Sequence, residues 1–169
     1  MRKNIVLIGM PGAGKSTIGV ILAKVLGYGF IDSDLLIQER EHCLLKDIIE
    51  RDGLKGLITI ENQVNCEINT ENAVIATGGS VVYSPEAMEH LRDIGIVVYL
   101  KLSYDTISRR LGNIKQRGVV FREGQTLRSL YEERCPLYEQ YAHIVTEGED
   151  LGMEELMEKI LREVQGYEQ

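Results

Sequence analysis

The chain has no apolar stretch approaching the roughly 18 residues that a membrane-spanning helix needs. Its short N-terminal run Ile5-Val6-Leu7-Ile8 is broken at once by Pro11-Gly12 and Lys15. It therefore reads neither as an export signal nor as an anchor, and a cytoplasmic location without membrane attachment is expected. Cysteine is scarce. Cys43, Cys66 and Cys135 are odd in number and scattered, which argues against a disulfide framework or metal-ligand spacing and predicts free thiols in a reducing compartment. His42, His90 and His143 form no zinc pattern either. Positive charge is in deficit, with 19 Lys and Arg against 26 Asp and Glu and a net charge of −7. A broad surface for nucleic acid or an anionic membrane is thereby disfavoured, and anionic ligands must be held by a few local cations. No repeat, low-complexity tract or Pro/Ser-rich linker divides the sequence. With 44% hydrophobic residues in 169, one domain over residues 1–169 with a substantial core is expected.

What is present begins with Gly-Met-Pro-Gly-Ala-Gly-Lys-Ser-Thr at residues 9–17, a complete G-x-x-x-x-G-K-[ST] phosphate loop. The four aliphatic residues before it suit a strand buried on both faces of a parallel sheet. Behind it Ile18, Ile21, Leu22, Val25 and Leu26 fall at helical spacing, with Gly27 as a stop. The glycines let successive N–H groups turn toward phosphates at a helix N-terminus, where orphan donors and the macrodipole favour an anion. Gly12, Ala13, Gly14, Lys15, Ser16 and Thr17 are the predicted nucleotide contacts. Lys15 is placed to reach the β and γ oxygens, and Ser16 to ligate Mg²⁺.

Further strands are predicted at Gly29-Phe30-Ile31, Ala73-Val74-Ile75-Ala76, Ile96-Val97-Val98-Tyr99-Leu100 and, more weakly, Ile144-Val145-Thr146. Helical patterns separate them: residues 35–50, a segment opened by Ser84-Pro85, another capped by Ser103, and a C-terminal stripe from Met153 to Val164. The methionines read as core filler. Alternating β and α elements imply an α/β fold, a parallel sheet covered on both faces. Residues 112–125, with Arg117, Arg122 and three glycines, lack clear periodicity and read as a basic lid over the phosphate site.

Asp32-Ser33-Asp34 closes the second predicted strand, where carboxylates face the ligand crevice of an open α/β sheet. Phosphoryl transfer has work for two acids, one toward Mg²⁺ and one toward the proton of an attacking hydroxyl. A purely structural alternative has Asp32 as a helix N-cap with Asp34 in the first turn. Thr77-Gly78-Gly79-Ser80 follows the third strand, and its glycines either admit a substrate to the backbone or make a tight turn. Arg109, Arg110 and Arg134 are candidate anion or adenine-stacking groups.

In their order these motifs resemble the shikimate kinase family, small P-loop enzymes of the nucleoside monophosphate kinase type. The resemblance rests on residues 9–17, on Asp32-Ser33-Asp34, on Val-Ile-Ala-Thr-Gly-Gly at 74–79, on Val-Val-Tyr-Leu at 97–100 and on Arg-Cys-Pro-Leu-Tyr at 134–138. It implies a three-layer P-loop fold with a five-stranded parallel sheet and a lid that closes on binding. It also implies ATP-dependent, Mg²⁺-assisted phosphorylation of shikimate or a related hydroxyl compound by a monomer. Under it, Asp34 contacts the substrate hydroxyls and accepts the proton, Asp32 supports Mg²⁺ and Arg117 reaches the transferring phosphate. Arg110 or Arg109 lies near adenine, Gly78 and Gly79 touch the substrate, and Arg134 binds its carboxylate.

The chain departs from that family on the acceptor and lid side. Where Gly-Phe-Arg-x-x-Glu is typical, it has Gly56-Leu57-Ile58-Thr59-Ile60-Glu61, so Ile58 stands in place of a carboxylate-gripping arginine. Losing such a charge-assisted pair removes about 1.5–3 kcal/mol. Lys55 is a nearby substitute cation, but one without a bidentate fork. The third glycine of the 78–80 turn is Ser80, and the usual Arg-Pro-Leu-Leu of the lid is Arg117-Gly118-Val119-Val120. The competing reading is a nucleotide-binding regulatory or interaction protein that has lost transfer. Retention of Asp32, Asp34, Arg117 and Arg134 weighs against it, because a pure binder needs neither a base nor a lid arginine.

Overall fold

A computed structural model describes residues 4–112 and 122–169. The expected lid arginine, Arg117, and the changed positions Gly118, Val119 and Val120 lie outside the described residues.

Five strands form one parallel sheet: β1 (Asn4–Ile8), β2 (Gly29–Asp32), β3 (Ala73–Ala76), β4 (Gly95–Lys101) and β5 (Ile144–Glu147), in the order β2-β3-β1-β4-β5. The helices are α1 (Lys15–Leu26), α2 (Ser33–Glu41), α3 (Leu45–Cys66), α4 (Pro85–Ile94), α5 (Tyr104–Leu111), α6 (Leu127–Tyr141) and α7 (Met153–Glu168). The aliphatic β1, β3 and β4 occupy the middle and are buried along almost their whole length, as a strand covered on both faces must be. β2 and β5 are the edges and carry the polar ends Asp32 and Glu147. At the opposite end of the sheet, Asn4 Nδ2 donates to Thr70 O (2.7 Å) and Ile94 O (2.9 Å), while its Oδ1 accepts from Ala73 N (3.0 Å). One buried amide thus ties β1 to the chain entering β3 and to the end of α4, so the strands start level and end level on the side where their loops converge.

All five predicted strands form. Pro85 opens α4, Ser103 caps α5 by accepting from Thr106 N, and α7 covers the predicted C-terminal stripe. Two local expectations need correction. The single helical stretch at residues 35–50 is two helices, because His42 turns left-handed (φ 55°) to close α2 and Leu44 stays extended, its N–H capped by the Asp47 carboxylate at 3.2 Å. The helix α3 is itself broken at Gly53 (φ 72°). Met10 and Met88 are core filler as expected, but Met153 is exposed beside a surface cleft.

Because β1 lies between β3 and β4, the connections leaving β1 and β3 diverge, and a crevice opens at their carboxyl ends. No helix among the described residues is long and apolar enough to cross a membrane.

Candidate active site

The crevice is a cavity of about 280 Å³, with the phosphate loop on one side and the turn after β3, with α2, α3 and α6, on the other. Gly12 and Gly14 hold φ values of 81° and 92°, left-handed conformations that bend the loop over the start of α1. Lys15 is buried, and its ammonium donates to Gly9 O (2.7 Å) and Met10 O (2.8 Å). Burial lowers its pKa to about 8, against the opposing pull of the Asp34 carboxylate.

Asp32 is the helix cap that one reading of its sequence position gave, and it also reaches the phosphate loop. Its Oδ1 caps α2, accepting from Asp34 N (3.0 Å) and Leu35 N (3.4 Å), and its Oδ2 accepts from the Ser16 hydroxyl at 2.7 Å. The cap fixes the carboxylate so that its free edge faces the phosphate loop. A hydroxyl and a carboxylate side by side at the loop form a hard-oxygen pair that suits Mg²⁺, an ion that takes few protein ligands and completes its shell with phosphate and water. Among the described residues no three His, Cys, Asp or Glu side chains gather as a denser metal site.

Asp34 follows in the first turn of α2 and lines the cavity. Burial, and then the neighbouring Asp32 charge, raise its pKa to about 6, with Lys15 opposing. Opposite it lies the turn Thr77-Gly78-Gly79. Thr77 N and Oγ1 both donate to Leu7 O (3.2 and 2.9 Å), Gly78 N donates to Ser33 Oγ (3.3 Å), and the Tyr138 hydroxyl donates to Gly79 O (2.6 Å). The two glycines are required by close approach. A Cβ at residue 78 would sit 2.7 Å from both Asp34 Oδ1 and Glu61 Oε2, and one at residue 79 would sit 2.9 Å from Arg134 Nη1. The side chains of Asp34, Glu61 and Arg134 therefore converge on a floor without side chains.

Arg134, 1% exposed, enters the cavity from α6, with Nε donating to the Tyr83 hydroxyl at 3.3 Å and its guanidinium 5.2 Å from the Tyr83 ring. The Tyr83 hydroxyl donates in turn to Glu133 Oε2 (2.8 Å). Glu133 also receives Gln125 Nε2 (2.8 Å) and pairs with Arg122 (3.1 Å). These contacts connect Arg134 to the end of the 112–125 segment. Nothing in the spacing of Tyr83 or Glu133 distinguishes them from surface residues of a turn and a helix.

The two adjacent arginines of α5 separate. Arg110 Nη1 donates to Gly12 O (3.3 Å) and Ala13 O (3.4 Å), while Arg109 bonds Thr106 Oγ1 (3.4 Å) at the start of its own helix. Arg110 also borders an apolar cleft behind the phosphate loop, shared with Leu100, Leu102, Gly148 and Leu151. Arg109 is not among its lining residues. The β5–α7 loop that forms this cleft gave no signal in the sequence, since its glycine and leucines read as an ordinary connection. Ile58 is half-buried and does not line the main cavity; Leu57, Leu45 and Glu61 do. Lys55 is exposed and is not among the residues that line the cavity.

The sequence model of shikimate kinases matches residues 11–165. The chain belongs to the shikimate kinase family. It is 38% identical over 165 residues to a shikimate kinase of Dechloromonas aromatica, covering 96% of this chain and 90% of that protein. It is 36% identical over 168 residues to one of Synechococcus sp. RCC307, covering 96% and 85%. Among solved structures, the shikimate kinase from Acinetobacter baumannii in complex with shikimate superposes with a TM-score of 0.90 at 35% identity, covering 97% of this chain and 93% of that one. The three-layer P-loop kinase fold with its five-stranded parallel sheet is thus shared with shikimate kinases, and the chain is a kinase that acts on an alcohol group.

Proposed function

We propose that the protein transfers the γ-phosphoryl group of ATP to a hydroxyl of shikimate, giving shikimate 3-phosphate and ADP. The observation that carries this reading is the convergence of Asp34, Arg134 and the bare Gly78-Gly79 floor opposite a complete phosphate loop. The A. baumannii relative holds shikimate on the same fold.

In this reading the loop amides of residues 12–17 and Lys15 hold the triphosphate, and adenine lies in the apolar cleft against Arg110. Arg134 fixes the acceptor carboxylate through a guanidinium whose orientation is set by Tyr83. Asp34 receives the proton of the attacking hydroxyl, for which it must be ionised, and its pKa of about 6 leaves it so at neutral pH. Mg²⁺, when bound at Ser16 and Asp32, neutralises phosphate charge. Arg117 is assigned the phosphate-reaching role by the family resemblance. Burial makes Lys15 and Arg134 effective, because charges in a site that excludes water act with less screening. All of these residues belong to one chain, which supports a monomeric catalytic unit over residues 1–169.

A coupled ADP-release assay tests the proposal. Shikimate-dependent ADP formation, with phosphoshikimate identified by mass spectrometry, is the expected result. ADP release that ignores shikimate but responds to another hydroxylated acid would reassign the acceptor. ATP binding without product from any such acid would favour the non-catalytic reading.

A further inference from the structure

Among the described residues that line the cavity, Glu61 is the titratable group to which transfer assigns no task. It comes from α3 and is 2% exposed. Its Oε1 accepts from the Ser80 hydroxyl at 2.8 Å, and Ser80 is itself buried. Its Oε2 and Asp34 Oδ1 both crowd the space above Gly78, so the two carboxyl groups face one another across the cavity floor. Ser80 sits where a third glycine is usual, and Ile58 sits one helical turn before Glu61 on α3, where an arginine is usual. An arginine there would pair with Glu61 and hold it ionised; isoleucine does neither. In this chain the hydroxyl that reaches Glu61 belongs to Ser80.

We propose that Ser80 and Glu61 are specificity-determining residues of the acceptor pocket: the Ser80 hydroxyl holds the Glu61 carboxyl beside Asp34, and an acceptor carboxylate binds best while Glu61 keeps its proton. The inference rests on the shikimate reading above. A bound acceptor adds its own carboxylate to a pocket that already holds Asp34, and Asp32 stands behind it at the end of β2. Only Lys15 from α1 and Arg134 from α6 offset these charges among the described lining residues. A neutral Glu61 removes one like-charge repulsion and offers an O–H donor; an ionised one does the reverse. Burial, foremost, and the Asp34 charge raise the Glu61 pKa to about 7, while the Ser80 hydrogen bond, Arg134 and Lys15 pull it down. The exchange therefore falls at neutral pH, and removing the Ser80 hydroxyl moves it to higher pH.

The test is the Kd of the full chain for shikimate, measured calorimetrically without nucleotide from about pH 5.5 to about pH 7.5, where Lys15, with a pKa of about 8, keeps most of its proton. The expected wild-type Kd rises at least about threefold across the upper half of that window. Part of the rise near pH 6 belongs to Asp34 and persists in Glu61→Gln; the part above it disappears in that variant. Ser80→Ala keeps the rise but shifts it upward in pH, and the uncharged methyl ester of shikimate shows a weaker rise than shikimate. A wild-type rise no larger than that of Glu61→Gln, or one left in place by Ser80→Ala, overturns the proposal. If Glu61→Gln does not fold, the Ser80→Ala shift decides alone. Shikimate-dependent ADP release with a pH-indifferent Kd removes only the Ser80–Glu61 pair. Absence of both binding and release removes the acceptor reading with it.

Discussion

The two walls of the cavity are built by opposite means. The phosphate wall is a single stretch, residues 9–17, in which the proposed recognition falls to backbone N–H groups and one lysine. The acceptor wall is assembled from side chains on α2, α3 and α6 and from the turn after β3, which are separated by up to a hundred residues of chain. A wall made of backbone has little freedom to vary, since each glycine is fixed by a positive φ. A wall made of dispersed side chains can exchange one partner for another, as at Ser80, where the resembled pattern has a third glycine. A complete loop motif on one side and departures from the resembled pattern on the other fit an enzyme that follows its family more closely at the donor site than at the acceptor site.

Substitutions test whether the walls are as separable as this comparison holds. Lys15→Ala strikes the phosphate wall and should lower kcat by about 10³-fold or more, read as ADP release at saturating shikimate. Asp34→Asn should lower kcat by about 10²–10⁴-fold while calorimetry finds ATP affinity nearly unchanged. Equal turnover would remove Asp34 from the mechanism. The wild-type acid limb of kcat/KM should lie near pH 6 and vanish in that variant, because activity requires the Asp34 carboxylate ionised and is lost as pH falls through its pKa.

Smaller effects probe the acceptor wall alone. Ile58→Arg should tighten shikimate about tenfold by adding a charge-assisted contact within one helical turn of Glu61, with no change in KM for ATP. No gain would mean that the pocket has been remodelled beyond one residue. Tyr83→Phe removes the hydroxyl that accepts from Arg134 and donates to Glu133, and should raise the shikimate KM by about three- to tenfold. A comparable rise in the ATP KM would show that the walls are coupled.

The smallest signal is in stability. The folded-state pKa of Glu61 is raised above its unfolded value, so its ionisation costs stability as pH climbs from about 4.5 toward 7. Glu61→Gln, which can still accept from Ser80, should therefore raise Tm more at pH 8 than at pH 5 in thermal unfolding followed by circular dichroism. An equal change at both values would mean that the Glu61 pKa is not raised in the folded protein.

The sequence made the phosphate wall legible because its chemistry is contiguous: strand, glycine loop and helix follow one another, and Lys15 and Ser16 sit within the motif. The parallel sheet was legible for a related reason, since β1, β3 and β4 are aliphatic runs that suit burial on both faces. The helical register around residues 42–44 was not, because apolar spacing continues through a left-handed His42 that only the packed chain reveals. Asp32 appeared as a choice between cap and metal ligand. The fold shows that its two oxygens point in different directions, one capping α2 and the other accepting from the Ser16 hydroxyl.

By itself the sequence determined that a complete phosphate loop is present, where it lies, and that α/β layers carry it, because those properties follow from residues close together in the chain. Tertiary structure alone decided that Arg110 and not Arg109 meets the phosphate loop, that Tyr83 and Glu133 stand behind Arg134, and that Ser80 reaches Glu61. Each of these pairs joins segments far apart in sequence, and only the order of the strands and the packing of α3 and α6 on the sheet set the distances between them.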